Sequence, residues 1–225
     1  RSGGPGGGYR ACLRPGPDSR GASLFLQGPK SLVPLYKAED DPGKKRPVKC
    51  FQGGGASPRT AVYVEAAPLA SDAQGPQRVA LFSYHLQPLA PGTVYDPSEE
   101  CRPCTKEEMM QAFCTSELVV RGIIQRVEPS EDDDSDVSEI TVKVSKTLRE
   151  STPEWRHQQM EGGSDTVVLT TPRHCGARHG PDQLVVMATT KLDQLVLTCA
   201  PTLEQWATVV QAARNNDSAQ CLMYS

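Results

Sequence analysis

CRPCTKEEMMQAFCTSELVVRGIIQRV, residues 101–127, places three cysteines within fourteen positions and then continues into an apolar stretch. Thr105 and Glu108 have the spacing of a capping box, so a short helix is predicted to begin at Thr105. The cysteines can act as metal ligands, as a redox pair, or as disulfides that join the helix to a sheet. The rest of the sequence has to decide among these roles.

The stretch behind the third cysteine has the pattern of a strand that is buried on both faces. Gly122, in the middle of it, marks a bulge or a close backbone approach. The two predicted faces consist of Leu118, Val120 and Ile124 on one side and Val119, Ile123 and Val127 on the other. The sequence therefore predicts a strand without a solvent-facing side.

The composition favours a globular protein of one large or two small domains. The chain has 225 residues, of which 37% are hydrophobic, and a formal net charge of −3, so nucleic acid is not an expected partner. No apolar run approaches the roughly 18 residues of a membrane-spanning helix, so membrane insertion is not expected. RSGGPGGGYR, at the start, lacks the apolar core of a signal peptide, so in a secreted protein that signal is removed or lies outside this chain.

Residues 1–95 are interpreted as an antiparallel β-sandwich. Short strand-like runs alternate there with turns rich in proline, glycine and aspartate, and no convincing helical period occurs. The runs are YRACLRP, ASLFLQ, SLVPLYK, PVKCFQ, AVYVEAA and RVALFSYHL. A segment rich in proline and acidic residues, LAPGTVYDPSEE at 89–100, then predicts a domain boundary.

Residues 101–225 are interpreted as a small barrel that helices close. The helix at Thr105 and the strand behind it are followed by EITVKVSKTL, DTVVLTTP, QLVVMATT and QLVLTCA, each of which reads as a strand. TLEQWATVVQAARN then predicts a second helix with a cap formed by Thr202 and Gln205. The order of one helix, about five strands and one helix indicates a mainly β fold.

Eight cysteines, an even number spread through strand-like segments, favour a disulfide framework in an oxidising compartment. The CxxC of Cys101 and Cys104 also fits a redox pair or half of a zinc site, but a linker precedes it and no second close cysteine pair follows. Asn216 begins an Asn-Asp-Ser sequon, so we expect glycosylation there. Both observations agree with secretion.

The cysteine order C-x2-C-x9-C, with the strand ELVVRGIIQRV directly behind it, resembles the netrin-like (NTR) module, an OB-like barrel. CRPC, FCTS, VRGIIQ, HCG and TCAP, together with ACLRP and FSYHL upstream, resemble the meteorin family over nearly the whole chain from Tyr9. Members of that family are secreted vertebrate signalling proteins with a CUB-like domain followed by an NTR domain. The resemblance therefore implies a CUB-like domain at 1–95 and an NTR-like domain at 101–225.

The resemblance also implies a disulfide pairing, which spacing alone leaves open among 105 connectivities. The implied pairs are Cys12 with Cys50, Cys101 with Cys175, Cys104 with Cys199, and Cys114 with Cys221. The family carries two further cysteines near the start of its CUB-like domain, and this sequence lacks them together with the opening strands. We therefore expect a partial sandwich with exposed strand edges. KLDQLVLTC and the tail LMYS also depart from the family and indicate a divergent member.

No catalytic motif is present, so no enzyme activity, cofactor or resident metal is expected. The four histidines are dispersed, and His174, beside Cys175, is interpreted as a surface residue. EDDDSD at 131–136 reads as a solvated loop and Lys44–Arg46 as a turn, although calcium and heparin are the respective alternatives. Trp155, an aromatic in a polar insertion, is a candidate partner contact.

The sequence thus predicts a secreted, non-enzymatic signalling protein that binds a cell-surface receptor. The resemblance implies roles in glial and neuronal differentiation or in metabolic and immune signalling. The alternative is an extracellular matrix or proteinase modulator, which would also bind heparan sulfate. A cytosolic CxxC redox or zinc protein is a third hypothesis, and it requires free thiols or bound metal.

Overall fold

The computed structural model describes residues 8–16, 18–38, 48–54, 60–67, 78–90, 95–130, 137–151, 165–215 and 221. The chain forms two compact units, Arg1–Asp96 and Pro97–Ser225. Both are built mainly of strands, as the sequence predicts. Within the described ranges, no helix is long and apolar enough to cross a membrane.

The described residues of the N-terminal unit form two sheets of three strands each. The strands are β1 (Tyr9–Pro15), β2 (Ala22–Gln27), β3 (Leu32–Tyr36), β4 (Lys49–Gly53), β5 (Val62–Ala66) and β6 (Phe82–Pro88). One sheet has the order β4-β1-β6 and the other has the order β3-β2-β5, and all of their pairings are antiparallel. Each predicted run therefore contributes one strand.

A small core holds this unit together. Leu13, Leu24 and Tyr36 are buried, and Phe51 and Phe82 pack against them together with other partly buried side chains. The Tyr36 hydroxyl donates a hydrogen bond of 2.8 Å to the Leu13 carbonyl and accepts one of 3.1 Å from the Lys49 amide. Tyr36 in this way connects β3 to β1 and β4, which belong to the other sheet.

The C-terminal unit is a closed barrel, and its described residues include two α-helices. Its elements are α1 (Lys106–Thr115), β7 (Leu118–Pro129), β8 (Val137–Glu150), β9 (Thr166–Pro172), β10 (Leu184–Lys191), β11 (Gln194–Cys199) and α2 (Leu203–Asn215). Two 3-10 helices, Pro97–Cys101 and Arg173–Cys175, precede α1 and follow β9. The strand order around the barrel is β7-β8-β9-β11-β10, and the β9–β11 pair is parallel. The predicted order of helix, five strands and helix is confirmed.

Both predicted helix starts are confirmed by their hydrogen bonds. Thr105 caps α1: the Glu108 amide donates to its hydroxyl at 3.3 Å, and its own amide donates to the Glu108 carboxylate at 2.8 Å. Thr202 and Gln205 make the same reciprocal pair ahead of α2, at 3.3 and 3.0 Å. Each box satisfies backbone donors that the first turn of a helix leaves without partners.

The first half of β7 lies between two hydrophobic clusters, as predicted. Val119 packs in the cluster that includes Phe113 of α1 and Trp206 of α2. Leu118 and Val120 face the opposite way, into the barrel cluster with Ile140 and other strand residues. The strand therefore joins the helical layer to the barrel interior.

The predicted face of Val127 is wrong. A register shift between Ile124 and Arg126 leaves Gln125 as an extra residue in β7, so Val127 stands opposite Ile140. An extra residue reverses the alternation of side chains beyond it, and Val127 therefore joins Ile124 in the barrel cluster.

Gly122 occupies a position where the backbones of β7 and β8 come close together. A second register shift lies between Arg121 and Gly122. A β-carbon on Gly122 would collide with the Lys143 carbonyl oxygen and would come within 2.8 Å of Val142 Cγ1. Both obstacles belong to the neighbouring strand, so the requirement for glycine is steric.

Replacing Gly122 with alanine should lower the free energy of unfolding by about 1–3 kcal/mol, the usual cost of overpacking. Gly180→Ala is the matched control, since a β-carbon there meets no atom within 4 Å. Chemical denaturation of the two variants measures the difference. Equal stabilities for Gly122→Ala and the parent chain would contradict the close approach of β7 and β8.

Candidate functional site

All eight cysteines are joined in disulfides. The pairs are Cys12–Cys50, Cys101–Cys175, Cys104–Cys199 and Cys114–Cys221, which is the pairing that the family resemblance implies. No cysteine is free among the described residues, which include all eight. The two cysteines of the CRPC motif bind different partners, so they do not form a redox pair with each other.

Three of these bridges connect the helical segments of the C-terminal unit to each other and to the barrel. Cys101 joins the first 3-10 helix to Cys175 in the second. Cys104, just ahead of α1, joins the end of β11, and the last turn of α1 is joined through Cys114 to Cys221 beyond α2. Residues 101–127 are thus held by three disulfides, at Cys101, Cys104 and Cys114.

Aromatic packing joins the two helices between these points. The rings of Phe113 and Trp206 stack with centroids 4.8 Å apart and an interplanar angle of 23°. Each side chain is only 1% exposed, and both pack in the cluster with Val119 and Met187. Stacked aromatic pairs of this kind stabilise a fold beyond the apolar area that they bury.

His174 lies beside the Cys101–Cys175 bridge. One ring nitrogen of His174 and the two sulfur atoms of the bridge all lie within 4.8 Å of one another, a spacing that a metal ion could bridge. Both sulfurs are in a disulfide, so they do not offer the thiolates that a zinc site would need. His174 Nε2 lies instead 3.0 Å from the Pro97 carbonyl oxygen, a contact that links the two 3-10 helices.

A surface groove of about 300 Å³ runs beside the Cys104–Cys199 bridge. We call it the CRPC groove. Its lining residues are Glu99, Glu100, Arg102, Cys104, Glu108, Gln111, Ala112, Thr115, Thr198 and Cys199. The groove therefore combines one disulfide with three carboxylates and one guanidinium group.

Arg102 organises the charges of the CRPC groove. It donates two hydrogen bonds to the Glu108 carboxylate, at 2.7 and 2.5 Å, and a third of 3.1 Å from Nε to Glu99. A guanidinium group matches a carboxylate in this two-point geometry. The two bonds from Arg102 to Glu108, together with the one from the Thr105 amide, hold the pKa of Glu108 at about 2, well below its usual value near 4.5.

No sequence motif marks Arg102, Glu99 and Glu108 as a charged cluster. Glu108 is predictable from the sequence only as a member of the capping box. Arg102 lies inside the CRPC motif, between the two cysteines, and its partners are brought together by the turn that the disulfides fix. The separation of Arg102 from Glu99, three residues, was the one signal in the sequence.

Several candidate residues lie outside the described residues. They are Trp155, the glycosylation candidate Asn216, the acidic run 131–136 and the basic run 44–46. Three of the four histidines are described: His85 lies in β6 of the N-terminal unit, whereas His174 lies in the second 3-10 helix and His179 in the segment behind it.

In a comparison with known proteins, the two units match two domain models of the same protein family. Residues 3–93 match the model described as Meteorin-like protein N-terminal domain, and residues 103–213 match that of Meteorin, C-terminal domain. The chain is 31% identical to Meteorin of Mus musculus, over 98% of this chain and 76% of the mouse protein. It is 31% identical to Meteorin of Homo sapiens, over 91% and 69% of the two chains. It is 29% identical to Meteorin-like protein of Danio rerio, over 93% of this chain and 69% of the zebrafish protein.

A peptide map of the protein expressed in mammalian cells, made without reduction, should contain the four disulfide-linked pairs and no free thiol. In the chain-entropy model, the loop of 95 residues that Cys104–Cys199 closes is worth about 4 to 5 kcal/mol of unfolding free energy. Mass spectrometry of the proteolytic peptides measures the pairing. Linkage of Cys101 to Cys104, or free thiols at either one, would contradict the arrangement.

The ion pair of Glu108 should make stability depend on pH in acid. The pKa of Glu108 is lower in the folded chain than in the unfolded chain, so its contribution is present above about pH 4.5 and is lost as the pH falls toward 2. Glu108→Gln keeps a capping side chain but removes the charge, so its unfolding free energy should fall less steeply across this window.

Thermal or urea unfolding at several pH values gives these slopes. Glu107→Gln is the matched control, since Glu107 is in the same turn of α1 and does not line the groove. Its slope should follow that of the parent chain. Identical slopes for Glu108→Gln and the parent would show that the pair with Arg102 adds no stability in solution.

Proposed function

Because the chain belongs to the meteorin family, we propose that it is a secreted, cytokine-like signalling protein that acts by binding a cell-surface receptor. The observation that carries the proposal is the agreement of both units with the two family domains. The roles that we propose are those of the family resemblance, in glial and neuronal differentiation or in metabolic and immune signalling.

The state of the cysteines supports secretion. Eight cysteines in four pairs are typical of proteins that fold in an oxidising compartment, since cytosolic thiols are kept reduced. We propose that Asn216 carries a glycan when the protein passes through the secretory pathway. A glycan there would follow α2 directly and would lie five residues before Cys221.

The chemistry of the CRPC groove supports a binding role without catalysis. The sulfur atoms that line it are oxidised, and Arg102 is committed to Glu99 and Glu108. The lining thus offers no thiolate nucleophile in this state. What it does offer is an acidic surface beside a rigid disulfide, which suits recognition of a protein partner.

Rigidity is the property that the fold contributes to receptor binding. Three disulfides and the Phe113–Trp206 stack fix the helical face of the barrel. A surface that is ordered before binding loses less conformational entropy on association, so more of the contact energy contributes to affinity. We propose that Trp155, in the insertion that precedes β9, adds an aromatic contact to this interaction.

The test is binding of the labelled, mammalian-expressed protein to responsive cells. We expect saturable binding, competition by unlabelled protein and downstream phosphorylation. Trp155→Ala should weaken the binding at least about tenfold, as loss of an aromatic anchor does. Val168→Ala, at an exposed apolar position of β9, is the matched control and should bind as the parent chain does.

Two further arms of the experiment can contradict the proposal. Binding that heparinase abolishes, with effects on proteinase kinetics and no cellular response, would favour the matrix or proteinase modulator. Full binding after reduction of the disulfides would show that the folded surface is not what the cells recognise. Loss of binding after reduction is the expected result.

A further inference from the structure

Two β-bulges in strand β8 change which of its side chains share a face. The register of β8 against β7 shifts twice along the first half of β7. At each shift β8 contains one residue more than β7, and the extra residues are Leu148 and Ser145. Bulges re-aim the side chains around them, so the faces of β8 do not follow its residue numbers.

The bulges bring three basic side chains of β8 onto one face of the sheet. Lys143, Lys146 and Arg149 are three residues apart, so in a regular strand Lys146 would point away from the other two. In the bulged strand they stand opposite three residues of β7 that share one face, which are Ile123, Arg121 and Val119. Neighbouring basic residues of β8 are therefore about 7 Å apart, the length of two residues of β7.

Arg121 of β7 adds a fourth positive charge, directly opposite Lys146. Its Nε donates a hydrogen bond of 2.7 Å to the Gln183 side-chain oxygen. Arg149 donates from Nη1 to the Phe113 carbonyl oxygen at 3.4 Å. Both acceptors are uncharged, so these bonds orient the guanidinium groups without neutralising them. We call the set of four residues the basic stripe; its members are Arg121, Lys143, Lys146 and Arg149.

The basic stripe lies at the border of the helical layer. Val119, on the same face of β7 as Arg121, is fully buried in the cluster that contains α1 and α2 side chains. Farther from the helices, Lys143 and Lys146 are exposed, whereas the two arginines are half-buried. The charges are thus presented to solvent by two paired strands of the barrel, next to the last turn of α1.

Positive and negative charges are separated along this face of the β7–β8 pair. The carboxylates that the two strands carry there, Glu128 and Glu139, stand opposite each other beyond Arg126 and Thr141. Arg126 forms an ion pair of 3.5 Å with Glu128. The basic stripe is therefore a patch of one sign, and such a patch attracts ligands of the opposite sign.

We propose that the basic stripe binds a linear polysaccharide with closely spaced sulfate groups, of the heparan sulfate type. Cations in a row at regular intervals match a linear polyanion, whereas a single small anion would need charges that converge on one point. Clustered lysine and arginine side chains are the usual means of binding such a chain. The proposal assigns this ligand to the barrel and not to the basic run 44–46, and it does not depend on receptor binding.

Surface plasmon resonance on immobilised heparin, with the full chain expressed in mammalian cells, tests the proposal. The parent should bind at about 0.15 M salt and more weakly as salt is added, because binding releases the counterions of the polyanion. A double variant, Lys143→Gln with Lys146→Gln, should bind at least about tenfold more weakly. Its slope of log affinity against log salt should be smaller by up to about two, roughly one for each lysine.

Two further variants make the result specific to the charges of β8. Lys106→Gln with Lys191→Gln removes the same charge at the start of α1 and the end of β10, and this matched control should bind as the parent does. Lys143→Arg with Lys146→Arg keeps the charge and should also retain binding. Circular dichroism checks that each variant is folded.

Other polyanions and a second site give the outcomes that would overturn the proposal. Hyaluronan carries carboxylates but no sulfate, so it should bind weakly; binding equal to that of heparin, or tighter binding to chondroitin sulfate, would contradict the assignment. Absence of heparin binding by the parent, or unchanged affinity of the Lys143→Gln, Lys146→Gln variant, would also overturn it. Loss of binding only when Lys44–Arg46 are neutralised would assign the polysaccharide to the N-terminal unit instead.

Discussion

Two helices of 10 and 13 residues are too short to be stable alone in water, and the C-terminal unit depends on holding them against its barrel. The stacked rings of Phe113 and Trp206 supply the apolar contact, and disulfides at both ends of α1 prevent it from separating. Without that layer, one face of β7 would be exposed at Val119, which is now fully buried. The burial of both faces of β7 therefore depends on the helix packing and on the disulfides together.

The sequence predicts the parts of this arrangement that depend on local chemistry. Thr105 with Glu108 and Thr202 with Gln205 define the helix starts, because a capping box needs only residues three apart. In the sequence of β8, Ile140 and Val142 alternate with polar residues, as in a strand with one face in a core, and both are buried. The predicted face of Val127 is wrong because the bulge at Gln125 arises from pairing with β8. Side-chain alternation within one strand contains no information about its register with another strand.

The candidate site was harder to predict from the sequence, because its contacts also join residues that are far apart in the chain. The cysteine pairing came from family resemblance, since spacing leaves 105 connectivities open. The interaction of Arg102 with Glu108 needs a turn that Cys101 and Cys104 hold from two different partners. Likewise RVALFSYHL reads as an ordinary strand, and only the sheet order shows that it is an edge with Tyr84 exposed.

The two units differ in how much apolar surface they bury. Among the described residues, the N-terminal unit has a core of three buried residues, whereas the C-terminal unit has clusters of eleven and nine. A core of that size gives little stability relative to the entropy of ordering the chain, so other constraints must contribute. Cys12–Cys50 across β1 and β4 is one such constraint. By joining two neighbouring strands of one sheet, this bridge adds a covalent constraint where the described apolar core is small.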